Sequence, residues 1–456
     1  MQADSRKIIS ENIVADRSKL KIICVFLHRI YFGRIPYERQ YRGKKRKAMN
    51  ITELQQSYAS HPNVEGVCRL LKDNSVRHLY CGGLYASAAS LFSSVLVQRA
   101  TCPLVFILGD MEEAGYFYHD LTQILGTEQV LFFPSSFRRA IKYGQKDAAN
   151  EILRTEVLSR LQKGEEGLCV VTYPDALAEK VVSRKELGEN TLKLHAGERV
   201  DMNFVTDVLR SYGFEYVDYV YEPGQYAVRG SIIDVFSFSS EYPFRIDFFG
   251  DEVESVRTFE VETQLSKEKK ESIVIVPDLS HSLEKKGSGG MVSFLDFLPS
   301  DSLLAMRDFL WLRERIQTVH DESLTPQAIA ARESEENGAI TLEGKLIDGG
   351  EFTLRALDFR RMEFGNKPTG TPDATVSFHT TVQPIFHKNF DMVAESFREY
   401  LSRHYTIYIC SDSLKQTDRI RAIFEDRGDN ISFTAVERTL HEGFADDTLR
   451  ICVSVS

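Results

Sequence analysis

From residue 75 onward short apolar runs alternate with helix-length segments: Val76–Cys81 then Ala86–Gln98, Pro103–Leu108 then Met111–Leu125, Gln129–Phe133 then Ala148–Leu161, and Leu168–Tyr173. Strands alternating with helices in this way predict a parallel sheet with helices on both faces. Between about 189 and 276 the rhythm changes. One predicted helix, Met202–Tyr212, precedes closely spaced strand-like runs at Tyr216–Tyr221, Gln225–Arg229, Ser231–Ser237, Pro243–Phe249 and Glu252–Phe259, with turn residues at Pro223-Gly224 and Gly250-Asp251. This spacing predicts an antiparallel meander. The charged stretch Ser266–Ser272 and the Gly-Ser-Gly-Gly at 287–290 read as linkers into a third, mixed region with a helix at Phe309–Thr318. After a linker-like Gly365–Pro372 come Val376–Val382, a helix at Asp391–Ser402, and a closing strand, helix and strand at Tyr405–Cys410, Leu414–Arg427 and Leu449–Val455. No internal repeat is visible. The chain stops on an apolar strand, which reads as a longer protein cut short.

Composition adds domain number and the sign of the partners. At about 150 residues per domain, 456 residues suggest three domains. The formal net charge is −10, yet residues 1–48 hold 13 basic and 4 acidic side chains, so the rest is strongly acidic. A body of that sign repels phosphate backbones at long range, which disfavours broad nucleic-acid binding and favours partners with basic or mixed surfaces. Residues 1–48 read as an unstructured basic leader or a start codon placed too early, with a nucleic-acid-binding arm as the alternative. The seven cysteines, Cys24, Cys68, Cys81, Cys102, Cys169, Cys410 and Cys452, are odd in number and lack C-x-x-C spacing, which argues against a disulfide framework and a structural zinc site. Apolar runs are too short for a signal peptide or a membrane span. A cytoplasmic protein without membrane partners is expected.

The turn after Val76–Cys81 reads Gly83-Leu-Tyr-Ala-Ser-Ala-Ala-Ser90, the strand-to-helix context of a phosphate-binding G-x-x-x-x-G-K-[ST] loop. Its chemistry is missing. Ala88 stands where the second glycine would admit a phosphate, and Ala89 where the lysine would meet it, with Ser90 retained. A charge-assisted hydrogen bond of that kind is worth roughly 1.5–3 kcal/mol, so nucleotide affinity should fall by one to two orders of magnitude. A plain strand-turn-helix that never held nucleotide predicts the same. His320-Asp-Glu-Ser323 superficially resembles a magnesium-holding acidic box, but the polar helical run before it makes it a solvated helix end. The eleven histidines are scattered, without a pair at metal-ligand spacing on a predictable face, and neither G-x-S-x-G nor H-E-x-x-H occurs. No catalytic or metal-binding residue is assigned.

The meander is more informative. Period-two alternation in Phe244-Arg-Ile-Asp-Phe-Phe249 sets Phe244, Ile246 and Phe248 on one face and Arg245, Asp247 and Phe249 on the other. The first face is core. The second carries a cation beside an aromatic, the usual make-up of a binding hot spot, and Gly250-Asp251 fixes the register as a two-residue turn. Gly230 after Arg229 reads as a bulge, which would place Arg229 on the face of Asp234 and Phe236. The bland alternative is solvated arginines, each pairing with a neighbouring carboxylate.

These residues carry a resemblance. Tyr216-Val-Asp-Tyr-Val-Tyr-Glu-Pro-Gly-Gln-Tyr-Ala-Val-Arg-Gly-Ser-Ile-Ile-Asp-Val-Phe236 and Tyr242-Pro-Phe-Arg-Ile-Asp-Phe-Phe-Gly-Asp-Glu-Val-Glu-Ser-Val-Arg257 closely resemble the bacterial transcription-repair coupling factors (Mfd) and, more distantly, the nucleotide-excision-repair protein UvrB. With Ala148–Arg154 and Thr380–Phe386 the similarity spans roughly 49–456. It implies an α/β fold: a parallel-sheet, helicase-like lobe with a degenerate phosphate loop over 49–188, completed by about 370–397. Into it are set an antiparallel α+β docking domain at 189–276 and a mixed insertion at 277–369, and a small α/β domain at 398–456 follows. It further implies that the antiparallel domain binds UvrA through Arg229, Arg245 and Phe249, recruiting excision repair to RNA polymerase stalled at DNA damage. ATP and Mg, the translocase motor, and the contacts with polymerase and DNA would belong to domains beyond Ser456, with the UvrA surface masked until the motor engages. This chain itself is then not an enzyme; a UvrB-like ATP-dependent enzyme acting on damaged DNA is the alternative. Phe132-Phe-Pro-Ser-Ser136 runs quickly into Lys142-Tyr-Gly-Gln145, leaving no room for UvrB's DNA-wedging hairpin. On this reading Arg245→Glu should abolish the UvrA complex without unfolding the protein.

Overall fold

The computed structural model describes residues 48–136, 148–277, 290–323, 344–386 and 389–455. The expected leader apart from Ala48, the Lys142–Gln145 stretch and most of the glycine linker at 287–290 lie outside the described residues. The architecture is α/β, built on three large sheets. Seven strands form an all-parallel sheet in the order Ala374–Ser377, His78–Gly82, Arg360–Gly365, Leu303–Met306, Leu104–Ile107, Cys169–Thr172 and Val130–Phe132. Leu303–Met306 and Leu104–Ile107 are apolar along their length and Cys169–Thr172 nearly so, as strands covered on both faces must be; Val105, Phe106, Ile107, Val170, Val171, Leu304 and Ala305 are fully buried. Helices Ser87–Arg99, Met111–Leu125 and Ala148–Lys163 make the crossovers. Residues 277–369, expected as a mixed insertion, contribute Leu303–Met306 and Arg360–Gly365 to the middle of this sheet.

The second sheet runs in the order Ser266–Lys270, Glu252–Phe259, Phe244–Phe249, Ile232–Val235, Gln225–Arg229 and Glu215–Tyr216. All its pairings are antiparallel except the last, which is parallel. Helix Met202–Ser211 starts where the Asp201 side chain accepts the Asn203 amide, and it lays Val205 and Leu209 on Tyr226, Ile233, Val235, Phe244, Ile246, Phe248, Val253 and Val256. Three expectations are corrected. Ser266–Ser272 is not a linker over its length: Ser266–Lys270 pairs as the edge strand, and its exposed lysines blunt that edge, which is why no apolar pattern marks it. The predicted strand Tyr216–Tyr221 is extended only over Glu215–Tyr216; beyond it Val217 and Val220 fold down as a lid on Ala227, Phe236 and Phe259. Gly230, at φ 61°, opens a two-residue hairpin turn, not a bulge, since Arg229 pairs with Ile232 across it. Irregularities in register lie instead between Asp247 and Phe248 and between Thr258 and Phe259.

The third sheet follows the order Met49–Asn50, Thr434–Glu437, Thr406–Ser411, Ile451–Val455, Phe444–Asp446 and Thr380–Val382. Both of its edges come from outside 398–456. A buried clasp reinforces this. The Tyr58 hydroxyl donates to Asp446 at 2.8 Å, His61 Nε2 stands 3.6 Å from the same carboxylate, and the amides of Thr448 and Leu449 donate to its other oxygen. Burial pushes the Asp446 carboxyl up, but the adjacent His61 ring and the hydrogen bonds from the Leu449 amide and Tyr58 outweigh it and hold the group below the usual carboxylate range. Among the described residues no helix is long and apolar enough to cross a membrane.

Candidate docking face and phosphate loop

Alternation along Phe244–Phe249 holds: Phe244, Ile246 and Phe248 are buried in the core under helix Met202–Ser211, and Arg245, Asp247 and Phe249 face away from it. The hairpin turns at Gly230-Ser231 and Gly250-Asp251 lie at the same end of the sheet, because two antiparallel steps separate them. The Phe248 amide donates to the Ser231 carbonyl at 2.8 Å, which sets Phe249 beside the first turn. Phe249 is 80% exposed. That ring leaves a flat apolar surface in water on the face that carries the arginines.

The two arginines share one buried carboxylate. Asp234, 1% exposed, lies directly across from Arg245; its Oδ1 accepts from Arg245 Nε at 2.7 Å and its Oδ2 from Arg245 Nη2 at 2.9 Å. This fork raises the Arg245 guanidinium above its ordinary value. Arg229 Nη2 reaches the same Oδ2 from the diagonal position, and its Nη1 donates to the Asp218 carbonyl at 3.1 Å. Arg245 Nη1 donates to the Gln264 carbonyl at 3.1 Å. Each guanidinium also lies over a ring, Arg229 over Tyr219 at 4.9 Å and Arg245 over Phe259 at 4.5 Å. Arg245 pairs directly with Arg257, a like-charge contact that would be unfavourable; Arg257 instead turns its Nη2 to Asp247. The result is a lattice of Arg229, Asp234, Arg245, Asp247 and Arg257. Arg229 remains 36% exposed and Arg245 16%.

The structure thus brings all three predicted docking residues to one face, and the pairing with a neighbouring carboxylate that the bland alternative expects is present too, with Arg229 partly exposed. Sequence reasoning gave Asp234 no role of its own. The signal was there: a carboxylate inside the apolar run Ile232-Ile233-Asp234-Val235-Phe236 has to find a cation when the strand is buried.

The phosphate loop is filled by the protein. Gly83, at φ 77°, could carry no side chain, since a Cβ there would meet the Phe378 carbonyl at 2.0 Å. Thr380 closes the turn, donating to the Gly83 carbonyl at 2.7 Å and accepting the Tyr85 amide at 3.0 Å. Ala88, Ala89 and Ser90 are buried in the first turn of helix Ser87–Arg99. Where a phosphate would be held, Asp120 Oδ2 accepts from Ser87 Oγ at 2.6 Å and Ser90 Oγ at 3.0 Å, and its Oδ1 accepts the His441 amide at 2.6 Å. The Glu442 amide donates to Ser87 Oγ at 3.0 Å. The residues present do not fit a nucleotide phosphate: the anion position already holds a carboxylate, backed by chain from the last sheet. His320 and Asp321 lie in the last turn of helix Phe309–Ser323, 3.1 Å from one another, as a helix end. Among the described residues no group of three or more His, Cys, Asp or Glu could hold a metal ion.

Residues 192–281, the segment that carries the lattice, match the family of the UvrB interaction domain. The chain is 29% identical over 198 residues to the transcription-repair-coupling factor of Escherichia coli, covering 43% of this chain and 17% of that protein. Against the Bacillus subtilis protein of the same name the figures are 30% over 196 residues, 43% and 16%. Against that of Staphylococcus aureus they are 22% over 416 residues, 80% and 35%. The chain is homologous to the transcription-repair-coupling factors. It spans at most about a third of the length of these coupling factors, and the homology takes in the UvrB interaction domain together with the flanking lobes.

Proposed function

We propose that this chain is the docking module of a transcription-repair coupling factor, non-catalytic in itself, which binds UvrA through the face bearing Arg229, Arg245 and Phe249. By that contact it brings nucleotide excision repair to RNA polymerase stalled at DNA damage; polymerase, DNA, ATP and Mg engage other parts of the longer protein. The observation that carries the reading is Phe249, 80% exposed on the sheet face shared with the paired Arg229 and Arg245, inside the segment that matches the UvrB interaction domain. An exposed aromatic next to oriented arginine is the composition of an interface centre. Against the enzyme alternative, Asp120 and the Glu442 backbone hold the groups a phosphate would need at the Gly83 loop.

Calorimetric titration of the full chain with purified UvrA tests this. A saturable complex that forms with and without ATP, and that weakens at high salt, supports the reading. No heat and no co-elution at tens of micromolar protein would remove it.

A further inference from the structure

We infer that Asp234 is a positioning residue for the docking face: its single buried carboxylate orients both guanidinium groups, and its geometry, more than its charge, sets affinity for the partner. The inference rests on the UvrA reading above. Three observations carry it. Asp234 is 1% exposed and in the middle of the sheet, so it cannot touch a partner itself. Both of its oxygens are engaged, one by Arg245 Nε and the other by Arg245 Nη2 and Arg229 Nη2, so two cations from adjacent hairpins share one anchor. The outer side of each arginine is then fixed by a backbone carbonyl, Asp218 for Arg229 and Gln264 for Arg245. A guanidinium has five donors, and Arg229 uses two of them in these bonds while staying 36% exposed, so it keeps donors for a partner on the sheet face that also carries Phe249.

The partner chemistry follows. The lattice sets three guanidinium groups against two carboxylates, so it keeps one net positive charge on a body that is otherwise acidic. It is therefore built to receive an acidic side chain flanked by an apolar hollow for the Phe249 ring. Holding two long side chains in the bound rotamer before encounter lowers the ordering cost of association.

Positioning and simple charge predict opposite signs for Asp234→Asn. That change removes a buried negative charge and makes the face more cationic, so an acidic partner would bind more tightly at low salt if charge alone mattered. If positioning matters, the amide can accept through only one oxygen, the arginines come loose, and affinity falls. The test is titration of the full chain and its variants with purified UvrA at two ionic strengths, below the melting point of each. The expected result is a loss of about tenfold or more for Asp234→Asn at both, with the Arg245 side-chain Nε–H resonance losing its slow-exchange signature. Unchanged or tighter binding by folded Asp234→Asn, with binding still lost in Phe249→Ala, overturns the inference and leaves the docking reading intact. Unchanged binding in both variants, or none by the wild type, fails the docking reading itself. Should Asp234→Asn melt below the assay temperature, Arg229→Lys serves instead: it keeps the charge and loses the fork, so the inference predicts weakened binding, and wild-type affinity would contradict it.

Discussion

Arg245 and Phe249 are four residues apart on one strand, and their burial predicts different responses to substitution. Arg245 is a partner of a buried carboxylate, and Arg245→Glu would set a second carboxylate against Asp234. Breaking a buried pair costs about 3–5 kcal/mol, so the thermal midpoint of that variant should drop by several degrees or the domain should fail to fold. The charge reversal expected from sequence to spare the fold is therefore the wrong probe. Phe249 touches solvent on most of its surface, so truncating it should change stability by no more than about 0.5 kcal/mol in chemical denaturation. The facing of both residues was legible, because period two is local and Gly250-Asp251 set the register. Their pairing was not. Whether Arg245 meets Asp234 depends on alignment with a strand eleven residues away, which no local pattern specifies.

At the scale of elements, the strand-turn-helix expected at Gly83 is present, and the missing lysine is only half of its difference from a phosphate loop. The other half is Asp120, 30 residues downstream, and the backbone at His441 and Glu442, more than 350 residues away. Restoring the lysine should therefore not restore nucleotide binding. Ala89→Lys is expected to show no saturable binding of a fluorescent ATP analogue at millimolar concentration, and to lower the melting temperature because an ammonium enters a buried helix turn. Tight analogue binding would mean that the Asp120 plug yields. The edge strand Ser266–Lys270 escaped detection for the opposite reason: both of its faces see water, so no apolar alternation marks it, and only its ladder to Glu252–Phe259 defines it. Strands Leu303–Met306 and Arg360–Gly365 were hidden by range, since parallel pairing joins segments with a long crossover between them.

For the molecule as a whole, the last sheet is sewn to the lobe by Met49–Asn50, by Thr380–Val382 and by the Tyr58–His61–Asp446 clasp. The Asp446 carboxyl is held below its ordinary value, so the stability it contributes is complete above that ordinary value and is lost as pH falls through the lower folded one, below about pH 4. Asp446→Asn should lose about 1–3 kcal/mol at pH 7 and show a flatter acid limb than the wild type in denaturation measured down to pH 3. A parallel downward shift at every pH would contradict the assignment. The same clasp explains why the small terminal domain looked self-contained in sequence: its own strand, helix and strand are strongly patterned, while the two edge strands that close its sheet are two and three residues long.

The central claim, that one outward face of the antiparallel domain grips UvrA, is tested most directly by the affinity of full-chain Phe249→Ala for purified UvrA, measured beside the wild type by titration calorimetry. The account predicts a fold unchanged by circular dichroism and a dissociation constant raised about 30-fold, the equivalent of about 2 kcal/mol at a hot spot. Wild-type affinity in the folded variant would contradict it.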